Sequence, residues 1–175
     1  MSWDKYFIEM LPYIASKSKD TSTKVGAIIV DHSNIIVATG FNGFPREVKE
    51  DDPKRFERPT KYLFTEHAER NAIYAAARKG IALEGCKIYQ PWLPCTDCAR
   101  AIIQVGIEHI VIDGRNFKAD KKYWDERWLD SMVASVTMLN ESGVLIQVYD
   151  ENESWWMASY TKSGEDTCLK EKDTG

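Results

Sequence analysis

The sequence predicts an α/β fold in which helices cover both faces of a sheet that contains parallel strand pairs. Short apolar segments rich in β-branched residues alternate along the chain with segments whose apolar residues recur at helical spacing. Strands that are joined through helices form parallel pairs, and the helices then pack on the faces of the sheet. The chain has 175 residues, of which 43% are hydrophobic and 29% charged, so one domain with its own core is expected.

The N-terminal part of the chain predicts one helix followed by two neighbouring strands. Its first apolar residues recur at three- and four-residue spacing, as in the buried stripe of a helix: Trp3, Phe7, Ile8, Leu11 and Ile14. Residues 25–30 and 35–39 are short apolar runs separated by a polar turn, which indicates two adjacent strands. The glycines and proline of residues 40–45 are expected to break the second strand. The charged residues 46–60 then predict a long surface loop, and such loops are often functional.

The remainder of the chain predicts helices and strands in alternation. The predicted helices are residues 67–79, 96–105 and 121–141, and a glycine stands near the end of each. The predicted strands are residues 86–90, 109–112 and 144–149. We therefore expect one folded domain over residues 1–150, followed by an acidic tail over residues 151–175 that is partly disordered.

Charge and hydropathy argue against two classes of partner. The chain carries 23 Lys and Arg against 27 Asp and Glu, so its formal net charge is −4. That sign does not suit a surface that follows a phosphate backbone, and no nucleic-acid partner is expected. The longest apolar run, residues 106–112, is too short to span a membrane, and residues 1–13 lack the pattern of a signal peptide. A cytoplasmic protein without a membrane partner is the expectation.

Two short motifs bring together residues that bind metals. His67 and Glu69 form an H-x-E motif, and Cys95 and Cys98 form a C-x-x-C motif directly after Pro94. Zinc prefers nitrogen and sulfur ligands in tetrahedral geometry, and a catalytic site keeps three protein ligands plus water. Cysteines in the first turn of a helix are also favoured as thiolates. The motifs therefore predict one catalytic zinc ion per chain, held by His67, Cys95 and Cys98.

Glu69 is predicted to act on the water of that zinc site without being a ligand. Residues two positions apart in a regular helix point about 200 degrees away from each other. His67 and Glu69 therefore cannot both face the metal from within one helix. If His67 lies at the helix entrance and Glu69 in the first turn, the carboxylate can face the water. A carboxylate in that position is a proton shuttle.

Two other interpretations of the cysteine pair explain less. A structural zinc site needs a fourth ligand, and His32 or His109 could supply one only by folding back. A redox C-x-x-C site would leave His67 and Glu69 without a role. H-x-E followed by P-C-x-x-C is instead typical of zinc-dependent nucleobase deaminases.

Longer segments resemble the deoxycytidylate deaminases, a branch of the cytidine and deoxycytidylate deaminase superfamily. The resemblance lies in residues 18–27 (SKDTSTKVGA), 39–45 (TGFNGFP), 67–73 (HAERNAI) and 94–107 (PCTDCARAIIQVGI). It implies a three-layer α/β/α sandwich with a five-stranded mixed sheet, and zinc-dependent conversion of dCMP to dUMP with release of ammonia. It also implies a homo-oligomer, commonly a hexamer, with dCTP and dTTP as allosteric effectors and Mg²⁺ accompanying a nucleotide effector.

Five residues are predicted to contact the nucleotide. By the resemblance Asn42 faces the deoxyribose, although an asparagine in that turn can also serve the turn alone. Lys24 offers a cation for the 5'-phosphate, and a solvated surface lysine is nearly as good an interpretation. The backbone N–H of Ala68 can donate to the pyrimidine O2. Arg115 and Tyr123 fall in the loop that commonly closes over the nucleotide in this superfamily, or they cap and pack locally.

Three other functions remain possible from the sequence. The chain could accept dCTP or a 5-substituted dCMP, it could deaminate cytosine or adenine in a nucleic acid, or it could be a zinc-bearing scaffold. The acidic charge argues against the second and the intact Glu69 against the third. Six Trp and eight Tyr in so small a domain also favour a homo-oligomer, because aromatic residues are enriched at interface cores.

Overall fold

The computed structural model describes residues 1–119, 126–152, 155–160 and 166–169. Its helices are α1 (Trp3–Ala15), a 3-10 turn (Pro53–Phe56), α2 (Lys61–Phe64), α3 (Ala68–Lys79), α4 (Thr96–Gln104), α5 (Gly114–Ala119) and α6 (Glu126–Glu141). Its strands are β1 (Gly26–Val30), β2 (Ile36–Phe41), β3 (Lys87–Gln90), β4 (His109–Asp113), β5 (Leu145–Tyr149), β6 (Trp155–Tyr160) and β7 (Asp166–Leu169). Within the described ranges, none of the helices combines the length and the apolar character that a membrane crossing requires.

The strands form one mixed sheet in the order β2-β1-β3-β4-β5-β6-β7. β1 pairs antiparallel with β2 and β3, whereas β3, β4 and β5 are parallel to one another. Ile110 lies at the centre of the parallel part, in register with Ile88 on one side and Ile146 on the other. The predicted five-stranded mixed sheet is therefore confirmed in β1 to β5, and β6 and β7 extend it beyond β5.

Apolar clusters on the two faces of the sheet make the predicted three layers. On one face, Phe7, Ile8 and Leu11 of α1 pack with Ile28 and Val30 of β1. The other residues of β1, Ala27 and Ile29, belong to the cluster that includes α3, α4 and α6 on the opposite face. Because successive strand residues point to opposite faces, a strand covered on both sides is buried throughout, as β1 is.

Three local predictions differ from the structure. β2 does not break at Gly40 but continues to Phe41, with Gly40 in register with Ala27. The predicted loop at residues 46–60 contains the 3-10 turn and leads directly into α2, and α5 follows β4 without a loop. The first residues of the helix predicted at 121–141 fall outside the described ranges, and α6 is described from Glu126.

Part of the predicted tail pairs with the sheet. Trp155 and Trp156 lie in register with Val148 and Gln147, and Met157 is buried against the core. β7 then pairs with β6 through residues such as Cys168, in register with Met157. The domain boundary near residue 150 stays a prediction.

Candidate active site

The N-terminus of α3 places His67 and Glu69 on different sides of the helix start. His67 has an extended backbone, with φ −75° and ψ 153°, and is the N-cap residue of α3. Glu69 lies in the first helical turn. The segment before the helix is held by paired backbone hydrogen bonds between Gly43 and Glu66. The helix therefore begins where the H-x-E motif requires it, with the imidazole outside the regular turns and the carboxylate inside them.

Gly40 lets α3 lie directly against β2. A Cβ atom at this position would come within 2.2 Å of the Ala68 carbonyl oxygen and 2.4 Å of the Ala72 nitrogen. Both distances are far shorter than any real contact of a Cβ atom. A residue without a side chain is thus what allows the metal-binding end of α3 to reach the sheet.

The N-terminus of α4 brings the two cysteines to the same place. Cys95 is the N-cap residue of α4 and Cys98 lies in its first turn. The backbone N–H of Thr96 donates to Ser131 Oγ of α6 at 3.1 Å, so a neighbouring helix caps a donor that α4 cannot satisfy itself. α6 thereby fixes the turn that carries the thiols.

The three predicted ligands meet at a spacing that fits zinc. His67 Nδ1 lies 3.5 Å from Cys95 Sγ and 3.6 Å from Cys98 Sγ, and the three donor atoms lie within 4.8 Å of one another. Tetrahedral zinc with bonds of about 2.0 Å to nitrogen and 2.3 Å to sulfur separates such donors by roughly 3.5 Å. Within the described ranges, these residues are the single His, Cys, Asp or Glu group close enough to hold a metal ion.

The electrostatics of the cysteine pair suit metal binding. The hydrogen bond with Cys98 lowers the pKa of Cys95 to about 4, against burial that raises it, and the His67 ring lowers it further. The Cys95 thiol therefore gives up its proton more readily than an ordinary cysteine, whereas the hydrogen bond with Cys95 and burial raise the pKa of Cys98. A thiolate is the form that zinc accepts as a ligand.

Glu69 is buried beside these ligands. Only 7% of its surface is exposed to solvent. Burial raises the pKa of its carboxyl group, and the charge of the nearby His67 ring partly opposes that shift. A carboxyl group with a raised pKa is a stronger proton acceptor than a solvated one, as a group that accepts and returns a proton requires.

Arg70 links the two helix starts. Its guanidinium donates to Glu66 and forms an ion pair with Asp97, with Nη1 3.3 Å from Oδ2. Glu66 in turn accepts the backbone N–H of His67 at 3.0 Å. Asp97 lies between the two cysteines in the sequence. These contacts therefore connect the N-terminus of α3, which carries His67, to the N-terminus of α4, which carries the thiols.

A cavity of about 540 Å³ opens at this cluster. His67, Ala68, Glu69 and Cys95 lie in its wall, together with the predicted Asn42. The remaining lining residues include Asp20, Thr23, Val25, Arg58, Lys61, Tyr62, Thr65, Arg70, Trp92, Thr96, Asp97, Ser131 and Met132. The volume and the mixed polar lining suit a ligand of nucleotide size.

Asn42 is buried and bound to the backbone at the cavity wall. Its Oδ1 accepts the N–H of Val25 at 2.8 Å, and its Nδ2 donates to the Thr23 carbonyl at 2.9 Å. The asparagine therefore fixes the turn before β1. A nucleotide contact would use the remaining N–H of Nδ2 or the second lone pair of Oδ1.

Of the other predicted nucleotide contacts, Ala68 lines the cavity, and Lys24 and Arg115 do not. Ala68 is fully buried in the cavity wall. Lys24 is exposed and lies outside the lining, and Arg115 binds Asp113 through Nε at 2.9 Å and lines a separate small depression with Lys5 and Glu151. Tyr123 lies outside the described residues.

The sequence reasoning missed the basic residues of the segment before α3. Lys61 is buried and binds Asp20 Oδ2 and Ser22 Oγ, both at 2.7 Å. Arg58 and Tyr62 line the cavity from the same segment. The length of the predicted loop was the one available signal, because charged residues in a loop have no periodic pattern.

Comparison with known proteins agrees with this geometry. Residues 1–113 match the cytidine and deoxycytidylate deaminase zinc-binding region. The chain belongs to the cytidine and deoxycytidylate deaminase family. It is 34% identical to a human deoxycytidylate deaminase over 155 residues, which cover 85% of this chain and 80% of that protein. It is 42% identical to an uncharacterized deaminase of Aliivibrio fischeri over 142 residues, which cover 81% of this chain and 90% of the relative.

A solved structure confirms the fold. The dCMP deaminase of cyanophage S-TIM5, in complex with dCMP and dUMP, superposes with a TM-score of 0.63 at 22% identity. The match covers 83% of this chain and 95% of that structure. The predicted family and the predicted cytidine deaminase-like fold are therefore both confirmed.

Proposed function

We propose that this chain is a zinc-dependent deaminase that hydrolyses dCMP to dUMP and ammonia. One observation carries the proposal: His67, Cys95 and Cys98 converge at a nucleotide-sized cavity whose wall includes His67, Cys95 and the buried Glu69. Family membership and the relatives named deoxycytidylate deaminase support the same substrate.

The donor set fits a catalytic rather than a structural zinc ion. His67, Cys95 and Cys98 supply three ligands, and no further His, Cys, Asp or Glu joins their group in the part of the chain that the structure describes. Zinc held there would act as a Lewis acid and make a water molecule nucleophilic near neutral pH.

Glu69 would move the protons of the reaction. Its carboxylate takes a proton from the attacking water and passes it to N3 of the pyrimidine, which makes C4 easier to attack. Glu69 would then pass the remaining proton of that water, from the hydroxyl added at C4, to the amine, and the C4–N bond would break to release ammonia. Water supplies the oxygen of the product, so the step consumes one water and releases one ammonia for each dCMP.

Ala68 and Asn42 would orient the nucleotide. The Ala68 side chain is small and fully buried in the cavity wall, so the ring can approach the start of α3, where the first N–H groups of a helix have no partner within it. Asn42 would meet the sugar with the hydrogen-bonding capacity that the turn before β1 leaves unused.

Assembly into a homo-oligomer is the second part of the proposal. Trp3, Tyr6 and Tyr13 are 56%, 44% and 78% exposed along α1, which is more aromatic surface than one chain covers itself. Aromatic residues are enriched at interface cores, so a second copy is the partner that this surface favours. Light scattering should give a mass well above the 20.1 kDa of one chain, and a mass near that value would contradict the assembly.

Turnover of a substrate panel tests the proposed reaction. The panel comprises dCMP, dCTP, CMP, deoxycytidine and a cytosine-containing oligonucleotide, with product and ammonia measured for each. We expect the highest kcat/KM for dCMP. Faster deamination of the oligonucleotide would instead favour a base-flipping enzyme, and preference for dCTP would change the assigned phosphate state.

A further inference from the structure

The cavity is lined by both buried and solvent-exposed residues. Ala68, Glu69 and Cys95 at the metal cluster are buried, whereas Arg58, Tyr62 and Asp97 in the same lining are exposed. The reacting ring of a nucleotide has to reach the metal cluster. Its charged 5'-phosphate then needs a cation among the solvent-exposed residues of the lining.

Three Lys or Arg residues line the cavity, and two of them already form ion pairs with carboxylates. Lys61 is buried in an ion pair with Asp20 at 2.7 Å. Arg70 is paired with both Glu66 and Asp97. Among the residues that the structure describes, neither cation can turn to a phosphate without leaving a carboxylate unpaired, and for the buried Asp20 that would be costly.

Arg58 is the remaining cation of the lining. It forms no ion pair with any carboxylate in the described ranges, and its exposed side chain can swing without breaking a buried contact. A guanidinium presents paired N–H donors that match the oxygens of a phosphate. Lys24, the cation predicted from the sequence, lies outside the lining.

We propose that Arg58 binds the 5'-phosphate and gives the enzyme its preference for a nucleoside monophosphate over a nucleoside. This inference rests on the proposed deamination of dCMP. Lys61 and Asp20 support it indirectly, because their ion pair anchors α2 to the loop before β1 and so holds the segment that presents Arg58.

The ratio of kcat/KM for dCMP to kcat/KM for deoxycytidine tests the role of Arg58. We expect Arg58→Ala to lower this ratio by about 10- to 100-fold, the range of lost hydrogen bonds to a charged group. Arg58→Lys should retain part of the ratio, because it keeps the charge and loses the paired donors. Binding of dUMP relative to deoxyuridine should fall in parallel, which gives a readout independent of turnover.

Arg46→Ala is the matched control. Arg46 is an exposed arginine of the same segment and is not part of the cavity lining, so its removal makes the same change in net charge. It should leave the ratio unchanged. Lys24→Ala tests the cation predicted from the sequence in the same assay.

The outcomes separate the inference from the proposed function. A wild-type enzyme that prefers dCMP, together with Arg58→Ala that keeps the full preference, overturns the role of Arg58 alone. If Arg58→Ala and Arg46→Ala lower the ratio of kcat/KM values equally, the role of Arg58 is overturned as well, because only the net charge of the protein would then matter. A wild-type enzyme that deaminates deoxycytidine as well as dCMP contradicts both the proposed substrate and the phosphate contact.

Discussion

Glu69 differs from the other acidic residues that line the cavity. Asp20 is neutralised by Lys61 and Asp97 by Arg70, whereas Glu69 forms no ion pair within the described part of the chain and is buried beside the metal cluster. An acidic residue that is buried without a cationic partner costs stability, so a catalytic role is the more economical explanation for it.

Glu69→Gln should abolish most of the turnover while keeping zinc and fold. The amide has the same shape but cannot carry the proton, and general acid and base groups contribute about 100- to 10,000-fold to a rate. Steady-state kinetics with dCMP and elemental analysis of zinc check this in one preparation. Glu141→Gln, at an exposed position on α6, is the control. A variant with full zinc and more than a tenth of the wild-type rate would contradict the shuttle role.

His109 should make folding stability depend on pH. Burial lowers the pKa of His109 from 6.5 to about 4, and the charge of Lys87 lowers it further. Between those values the unfolded chain binds a proton more readily than the folded chain, so stability falls as the pH falls from 6.5 to 4. The expected loss is on the order of 3 kcal/mol.

Denaturant unfolding of wild type and His109→Gln across that pH range isolates the effect. The zinc site titrates in both proteins, so only the difference between them reports on His109. We expect the difference in unfolding free energy between the two proteins to change by about 3 kcal/mol between pH 6.5 and pH 4. His32→Gln, at an exposed histidine, should follow the wild type. Parallel curves for wild type and His109→Gln would show that the histidine is protonated equally in both states.

At the scale of the element, α3 is the helix on which the site depends. Its N-terminus carries His67 and Glu69, and its close approach to β2 at Gly40 sets where that end lies. Sequence reasoning treated Gly40 as a strand breaker because glycine weakens strands on average. The packing of α3 overrides that tendency, since only glycine allows the helix backbone to lie so near.

Gly40→Ala should destabilise the fold and weaken zinc binding. The added methyl group would overlap the backbone of Ala68 and Ala72, so α3 must move away from β2. Overpacking of this kind typically costs about 1–3 kcal/mol. Gly43→Ala is the matched control, because its added Cβ meets only the Phe41 ring at an ordinary 3.7 Å. Denaturant unfolding and zinc titration of both variants measure the effect, and equal stability of the two would contradict the packing argument.

The local motifs predicted more of the site than the surrounding loops did. His67, Cys95 and Cys98 lie at helix starts that the sequence pattern places correctly, and the structure brings them together. Arg58 and Lys61 could not be found in that way. The burial of Lys61 depends on Asp20, 41 residues away, and no local pattern encodes a contact of that kind.

At the scale of the molecule, the site joins elements from distant parts of the chain. The loop before β1, the segment around α2, and the starts of α3 and α4 each contribute to one cavity, and α6 closes it with Ser131 and Met132. The parallel strands β3, β4 and β5 with their helices supply the rigid frame on which these parts converge. Folding and activity should therefore be lost together when zinc is removed from a site that ties α3 to α4.

The dependence of dCMP turnover on zinc is the decisive measurement for the proposed deaminase. Protein of known zinc content is assayed for dUMP and ammonia before chelation, after chelation, and after zinc is restored. We expect full turnover at one zinc per chain, loss of turnover in the chelated protein, and recovery as zinc returns to that stoichiometry. Folded protein with one zinc per chain that leaves dCMP unchanged, or chelated protein that keeps its rate, would contradict the proposed function.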